Sequence, residues 1–153
     1  MTASGSRSMA RLLRTRWLMR LPIGLFRARL GWIFGGRLCM IEHRGRTSGE
    51  RRFVVLEVVG RAEPDLVVVA SGLGPGAQWF RNLQANGVAF VSIGMRSRVA
   101  ADVRLLDAAG SRSRLEEYAR LHPAAWEKLH DAMAIAQGLD EPDIPIVELA
   151  LRT

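Results

Sequence analysis

Cysteine occurs once in this 153-residue chain, at position 39, and that scarcity removes two large classes of protein at once. No intramolecular disulfide can form, and no multi-cysteine zinc site can be built. Cys39 sits in an apolar run, which predicts a buried structural thiol and fits a reducing, cytoplasmic setting. Tyrosine is equally scarce, with Tyr118 alone. Long hydrophobic runs are missing too. The longest charge-free stretches near the start, residues 21–26 and 30–36, fall far short of the roughly 20 residues that span a bilayer. Acidic residues are absent from the first 41 positions.

That last absence leaves a strongly polarised charge distribution. Residues 1–52 carry twelve arginines against Glu42 and Glu50, so the formal net charge of +7 resides in the N-terminal third. Such asymmetry suits nucleic acid, an anionic membrane surface or an acidic small molecule. Nucleic acid ranks last, because no helix-turn-helix, zinc-finger or RNP-like pattern is present and aromatics do not interleave with the basic residues. The three histidines, His43, His122 and His130, lack metal-ligand spacing, so no metal site is expected and each reads as a surface or helix residue. No nucleophile elbow, Cys/His arrangement or carboxylate pair stands out, so reactive chemistry belongs to a bound cofactor if the protein is an enzyme.

The hydrophobic fraction, 48%, is ample for a real core. Residues 9–21 form a candidate helix closed by Pro22, and residues 23–34 a second helix stopped by Gly35 and Gly36. Short apolar runs predict strands at 38–41, 53–59, 66–70, 88–93, 98–106 and 144–151. A helix is expected over 77–85. Another is expected from Ser113, where Ser113 and Glu116 have capping-box spacing, with Pro123 interrupting or restarting it. About six mainly antiparallel strands with N-terminal helices and a C-terminal helix describe an α+β domain around a sheet or barrel. Residues 1–36 read as a basic helical extension and 37–153 as the main domain.

Two loops carry the chemistry. Between the first two strands, Gly45 and Gly49 allow main-chain N–H groups to converge, Arg44, Arg46, Arg51 and Arg52 supply forked donors, and Thr47 and Ser48 supply hydroxyls: a clamp for phosphate or carboxylate. After the third strand, Ser71, Gly72, Gly74 and Gly76 lead into a helix whose start favours anions. The glycine spacing there is not that of a dinucleotide fingerprint, and no ribose-binding acid follows. Trp79, Phe80 and Leu83 read as core by spacing alone.

Together, Gly45 through Gly49 with Arg52, Ser71 and Gly72, then Trp79 through Leu83 with Ala85 and Asn86, resemble the deazaflavin-dependent nitroreductase family, whose members use reduced coenzyme F420. The terminal strand at 144–147 matches as well. The resemblance implies a split β-barrel with the cofactor in a basic groove. Carried over by position, Arg46, Thr47, Ser48 and Arg52 would contact the phosphate and side chain of F420, with Phe53, Val54, Val55 and Leu56 as the adjoining wall. Ser71 and Gly72 would lie beside the deazaflavin ring, Ser71 as the candidate catalytic donor. Gln78, Trp79, Phe80, Arg81 and Asn82 would complete the pocket. Thr47 stands where a Lys is common, and the tyrosines that some members place over the substrate are absent, with Trp126 or His130 as candidates for that side. The implied activity is hydride transfer from F420H2 to a quinone, nitro compound or activated alkene. An FMN-dependent oxidoreductase, a noncatalytic F420 carrier and a membrane-associated binding module stay open as alternatives, as do a homodimer and peripheral contact with the anionic inner face of the plasma membrane.

Overall fold

The computed structural model describes residues 20–61 and 63–152. Helix α1, Arg20–Arg27, leads through a 3-10 turn, Gly31–Phe34, into strands β1, Leu38–Arg44, and β2, Arg51–Gly60. Strand β3, Leu66–Ala70, is followed by helix α2, Gln78–Asn86, and the hairpin of β4, Val88–Ile93, with β5, Arg96–Leu105. Helices α3, Ala108–Leu121, and α4, Pro123–Gln137, precede the last strand, β6, Ile146–Leu151. All six strands pair antiparallel and close into a barrel in the order β1-β2-β3-β6-β5-β4. The expected six-stranded α+β barrel is the observed one.

Two-residue alternation explains where the core lies. On β1, Cys39 and Ile41 point into the barrel with Val67, Val69, Val91, Val147 and Leu149, while Met40 faces outward. The outward side is covered too: Phe26 of α1 packs on Met40 and Val55, with Ile23, Phe34, Leu38 and Phe53 around them. Strand β1 is therefore buried on both faces, and burial pushes the Cys39 thiol up to about 12, an inert structural group.

Several expected boundaries differ. The helix expected over 23–34 is two pieces, because Arg29 adopts a left-handed φ of 63° that no α-helix accommodates. Pro22 lies inside α1 rather than ending a helix before it. The rest of the helix expected over 9–21 falls outside the described residues. Helix α3 begins at Ala108, where the Asp107 carboxylate accepts from the Gly110 N–H at 2.7 Å, so Ser113 and Glu116 lie within it instead of capping it. Pro123 does restart the helix, as the first residue of α4.

Candidate cofactor site

The site is built where the β1–β2 loop meets α2. Gly45 donates to the Glu50 carbonyl at 2.9 Å and Gly49 to the Gly45 carbonyl at 2.8 Å, closing a compact loop. Gly49 takes the positive φ expected of it, at 72°, whereas Gly45 serves close approach: a Cβ there would lie 2.5 Å from Ser48 Oγ and 3.2 Å from Arg52 Nε. Ser48 Oγ accepts from the Glu50 N–H at 3.2 Å. Thr47 is exposed.

Asn82, on the second turn of α2 and 2% exposed, fastens this loop to the helix. Its Oδ1 accepts from the Arg46 backbone N–H at 3.0 Å and from Arg46 Nη1 at 2.9 Å. Both partners can only donate, which fixes the amide orientation and turns Nδ2 toward His43 Nδ1, 3.1 Å away. His43 Nδ1 must then accept, so the ring is neutral. Its pKa falls to about 4, chiefly because burial penalises the charged form and secondarily because Arg52 is near. One turn later, Asn86 Nδ2 donates to the Arg44 carbonyl at 2.9 Å. The two sequence motifs are thus a single structural unit.

The arginines of the loop have separate duties. Arg51 pairs with Glu42 at 2.7 Å, and Arg98 approaches the same carboxylate at 3.1 Å. Burial pushes the Glu42 carboxyl up, but hydrogen bonds and charge from Arg98 and Arg51 outweigh it and hold the group below its ordinary value. Arg46 and Arg52 form no ion pair among the described residues. Arg52 lies opposite His43 in the ladder, at the rim of the barrel. Two guanidinium groups here form no ion pair with a carboxylate among the described residues, so the donor set fits a phosphate- and carboxylate-bearing cofactor.

The other expected positions divide. Val54 and Leu56 pack toward the barrel core while Phe53 and Val55 turn outward to the α1 cluster, so the four side chains do not form one wall. Arg27 stacks on the outer Phe53 ring at 4.7 Å. Gln78 and Arg81 are exposed near the start of α2, which has no side-chain cap. Trp79 and Phe80 are core residues, their rings edge to face at 6.0 Å, as spacing alone implied. Ser71 is fully buried and donates its hydroxyl to the Gly74 carbonyl at 2.6 Å. Met133 of α4 packs on Gly72, whose carbonyl accepts from Gln137 at 3.0 Å.

His43 is the residue that the sequence undersold, a buried strand residue rather than a surface or helix one. Only its place in the alternation of β1, on the inward face with Cys39 and Ile41, signals it. Trp126 and His130 line an open cleft of about 520 Å³ between α3, α4 and the segment before β6, and that cleft shares no lining residue with the β1–β2 loop. No group of three or more His, Cys, Asp or Glu suited to a metal occurs among the described residues.

The family model of the F420H(2)-dependent quinone reductases matches residues 25–147. The chain belongs to this family. It is accordingly an F420-dependent reductase, an oxidoreductase whose cofactor is coenzyme F420. No curated protein matches it. Among solved structures, an F420-H2 dependent reductase (FDR-A) matches this reductase with a TM-score of 0.52 at 18% identity over 74% of this chain and 93% of that one. A domain-swapped dimer matches at 0.55 and 19% identity over 75% and 81%. A putative pyridoxamine 5'-phosphate oxidase from Listeria innocua matches at 0.52 and 12% identity over 84% and 94%. At such identities the likeness is one of fold, a split barrel.

Proposed function

We propose that this reductase holds the acidic tail of F420 at the β1–β2 loop and delivers reducing equivalents to a quinone, with nitro compounds and activated alkenes as further acceptors of the same electrophilic kind. The observation that carries the reading is the pair of hydrogen bonds from Arg46 to the buried Asn82, which fixes a guanidinium with spare donors on the loop that leads into Arg52, itself without an ion pair among the described residues. Arg46 and Arg52 bind anionic oxygens, Thr47 and Ser48 add hydroxyl contacts, and Gln78 and Arg81 extend the polar rim along α2. Val54 and Leu56, with Trp79, Phe80 and Leu83, make the adjoining barrel interior dry and stiff.

Reduced F420 supplies the hydride when bound. The protein's contribution is alignment and exclusion of water, and no side chain need form a covalent bond. Ser71 takes a positioning role in this reading, because its hydroxyl closes the Ser71–Gly74 turn while its N–H donates to the Pro145 carbonyl, just before β6, at 2.9 Å. Solvent supplies the final proton to the reduced acceptor. Residues 37–153 constitute the catalytic body, and residues 1–36 a basic extension.

Stopped-flow oxidation of F420H2 by the purified chain, run against a panel of quinones, nitroaromatics and enones, tests the proposal. Acceptor-dependent loss of the reduced cofactor is expected, fastest with a quinone. Tight binding of F420 with no turnover on any member of the panel would favour a carrier instead.

A further inference from the structure

The 3-10 turn Gly31–Phe34 is pinned to the barrel by one side only. With three residues per turn, Gly31 and Phe34 fall on the same edge. Phe34 stacks on Phe26 at 5.5 Å, and a Cβ on Gly31 would come within 2.3 Å of the Phe26 ring, so that edge must face inward and position 31 must lack a side chain. The two remaining positions are forced outward, and both are large and apolar: Trp32 is 53% exposed and Ile33 56%. Beside them stands the β4–β5 turn, since a Cβ on Gly94 would lie 3.8 Å from the Gly35 carbonyl oxygen, and the next residue, Met95, is 87% exposed. Leu30 is exposed on the same approach.

The surroundings are cationic. Arg27, Arg29 and Arg37 are exposed and form no ion pair among the described residues, and Arg61 reaches to within 3.5 Å of the Cβ position on Gly36. Residues 1–41 contain no acid. Asp65 is matched by Arg96 at 2.8 Å and Glu42 by Arg51 and Arg98, whereas the exposed Glu57, opposite Leu38 in the ladder, and Glu63 form no ion pair among the described residues and leave the arginines in excess. A tryptophan and aliphatic side chains projecting from two adjoining turns, with arginines on the flanking segments that form no ion pair among the described residues, have the chemistry of a bilayer interface, where the indole sits at headgroup depth and the guanidiniums meet anionic lipid. A second copy of the chain fits poorly, because a self-complementary contact here would set the same arginine rim against itself. No helix among the described residues is long and apolar enough to cross a membrane, so attachment at this surface is peripheral.

We propose that Trp32, Ile33 and Met95 form the insertion tip by which the protein docks on an anionic lipid surface, with Arg27, Arg29, Arg37 and Arg61 as its electrostatic collar. None of the three tip residues belongs to the cofactor site, so docking is separable from F420 binding.

Cosedimentation of the full chain with phosphatidylglycerol/phosphatidylcholine vesicles, with pure phosphatidylcholine as the control, tests this. Binding to the anionic vesicles is expected to be at least about tenfold tighter and to weaken as salt rises. Ile33→Asp and Met95→Asp should each lower it by about tenfold or more while leaving F420 affinity and the unfolding midpoint unchanged. Trp32→Phe should keep binding but remove the Trp32 contribution to the Trp quenching produced by brominated lipid. The proposal is overturned by a wild-type chain that ignores anionic vesicles, or by binding that survives both Asp variants, which moves attachment to another part of the chain. It is equally overturned by a concentration-dependent dimer that Ile33→Asp dissociates, which gives the surface to a second copy.

Discussion

Asn82 and Arg46, thirty-six residues apart in sequence, meet twice: one carboxamide oxygen receives both the backbone N–H and a guanidinium N–H of the arginine. The other end of the amide donates to His43, so a buried strand residue sets the orientation of the residue that sets the arginine. Replacing Asn82 with Leu keeps the branching of the side chain and removes each of its side-chain hydrogen bonds. It leaves the Arg46 N–H and His43 Nδ1 without partners, and chemical denaturation should register a loss of about 1–3 kcal/mol. F420 affinity should fall with it, because the loop loses its attachment to α2.

Adjacent arginines should behave oppositely. Arg52→Ala removes a charge that forms no ion pair among the described residues, so it should weaken F420 by about 1.5–3 kcal/mol with little change in the unfolding midpoint. Arg51→Ala takes one of two cations from the buried Glu42 and should destabilise the fold by about 1 kcal/mol after allowance for solvent screening, with affinity nearly intact. Calorimetric titration and thermal melts of the two variants side by side would expose a reversal of these roles.

Ser71→Ala should lower stability by about 1 kcal/mol through loss of the bond to Gly74. The single-turnover rate of acceptor reduction should change less than twofold, since the hydroxyl is buried and committed. A tenfold slower hydride step with unchanged stability would restore Ser71 to the catalytic role that its position in the family motif implies.

Much of the fold was legible because burial patterns reach the strands directly. Residues 66–70 are a continuous apolar run and residues 88–93 are apolar but for Ser92, and the two coincide with β3 and β4. The apolar run of β1 ends at Ile41, yet the strand continues through Glu42, His43 and Arg44. Three polar residues hide a strand whose polarity is satisfied elsewhere, by Arg51, Arg98 and Asn82. The break at Arg29 was equally hidden, because apolar spacing over 23–34 says nothing of a left-handed residue inside it. For the site, the residue types of the β1–β2 loop were readable, but the sorting of its arginines depends on pairings across β1, β5 and α2. The two-residue alternation of a strand separates Val54 and Leu56 from Phe53 and Val55, whereas the family resemblance alone groups all four on one wall.

His43 gives a pH dependence whose sign is fixed. Its folded pKa, about 4, lies below the ordinary 6.5, so the unfolded chain binds the extra proton first as pH falls. The stability owed to neutral His43 is complete above about pH 6.5 and is lost as pH drops through about 4. Imidazole chemical shifts should show His43 titrating near the lower value, and Asn82→Asp should move it upward by placing a carboxylate beside Nδ1. Titration of wild-type His43 near 6.5 would mean that the ring is not held as a neutral acceptor.

Parallel binding titrations of F420 and FMN to the wild-type chain, repeated with Arg46→Ala and Arg52→Ala, test the central claim most directly. The account predicts that F420 binds at least tenfold more tightly than FMN to the wild type, and that each substitution costs F420 about tenfold or more while the protein stays folded. F420 affinity identical in the wild type and both variants, or a preference for FMN, would contradict it.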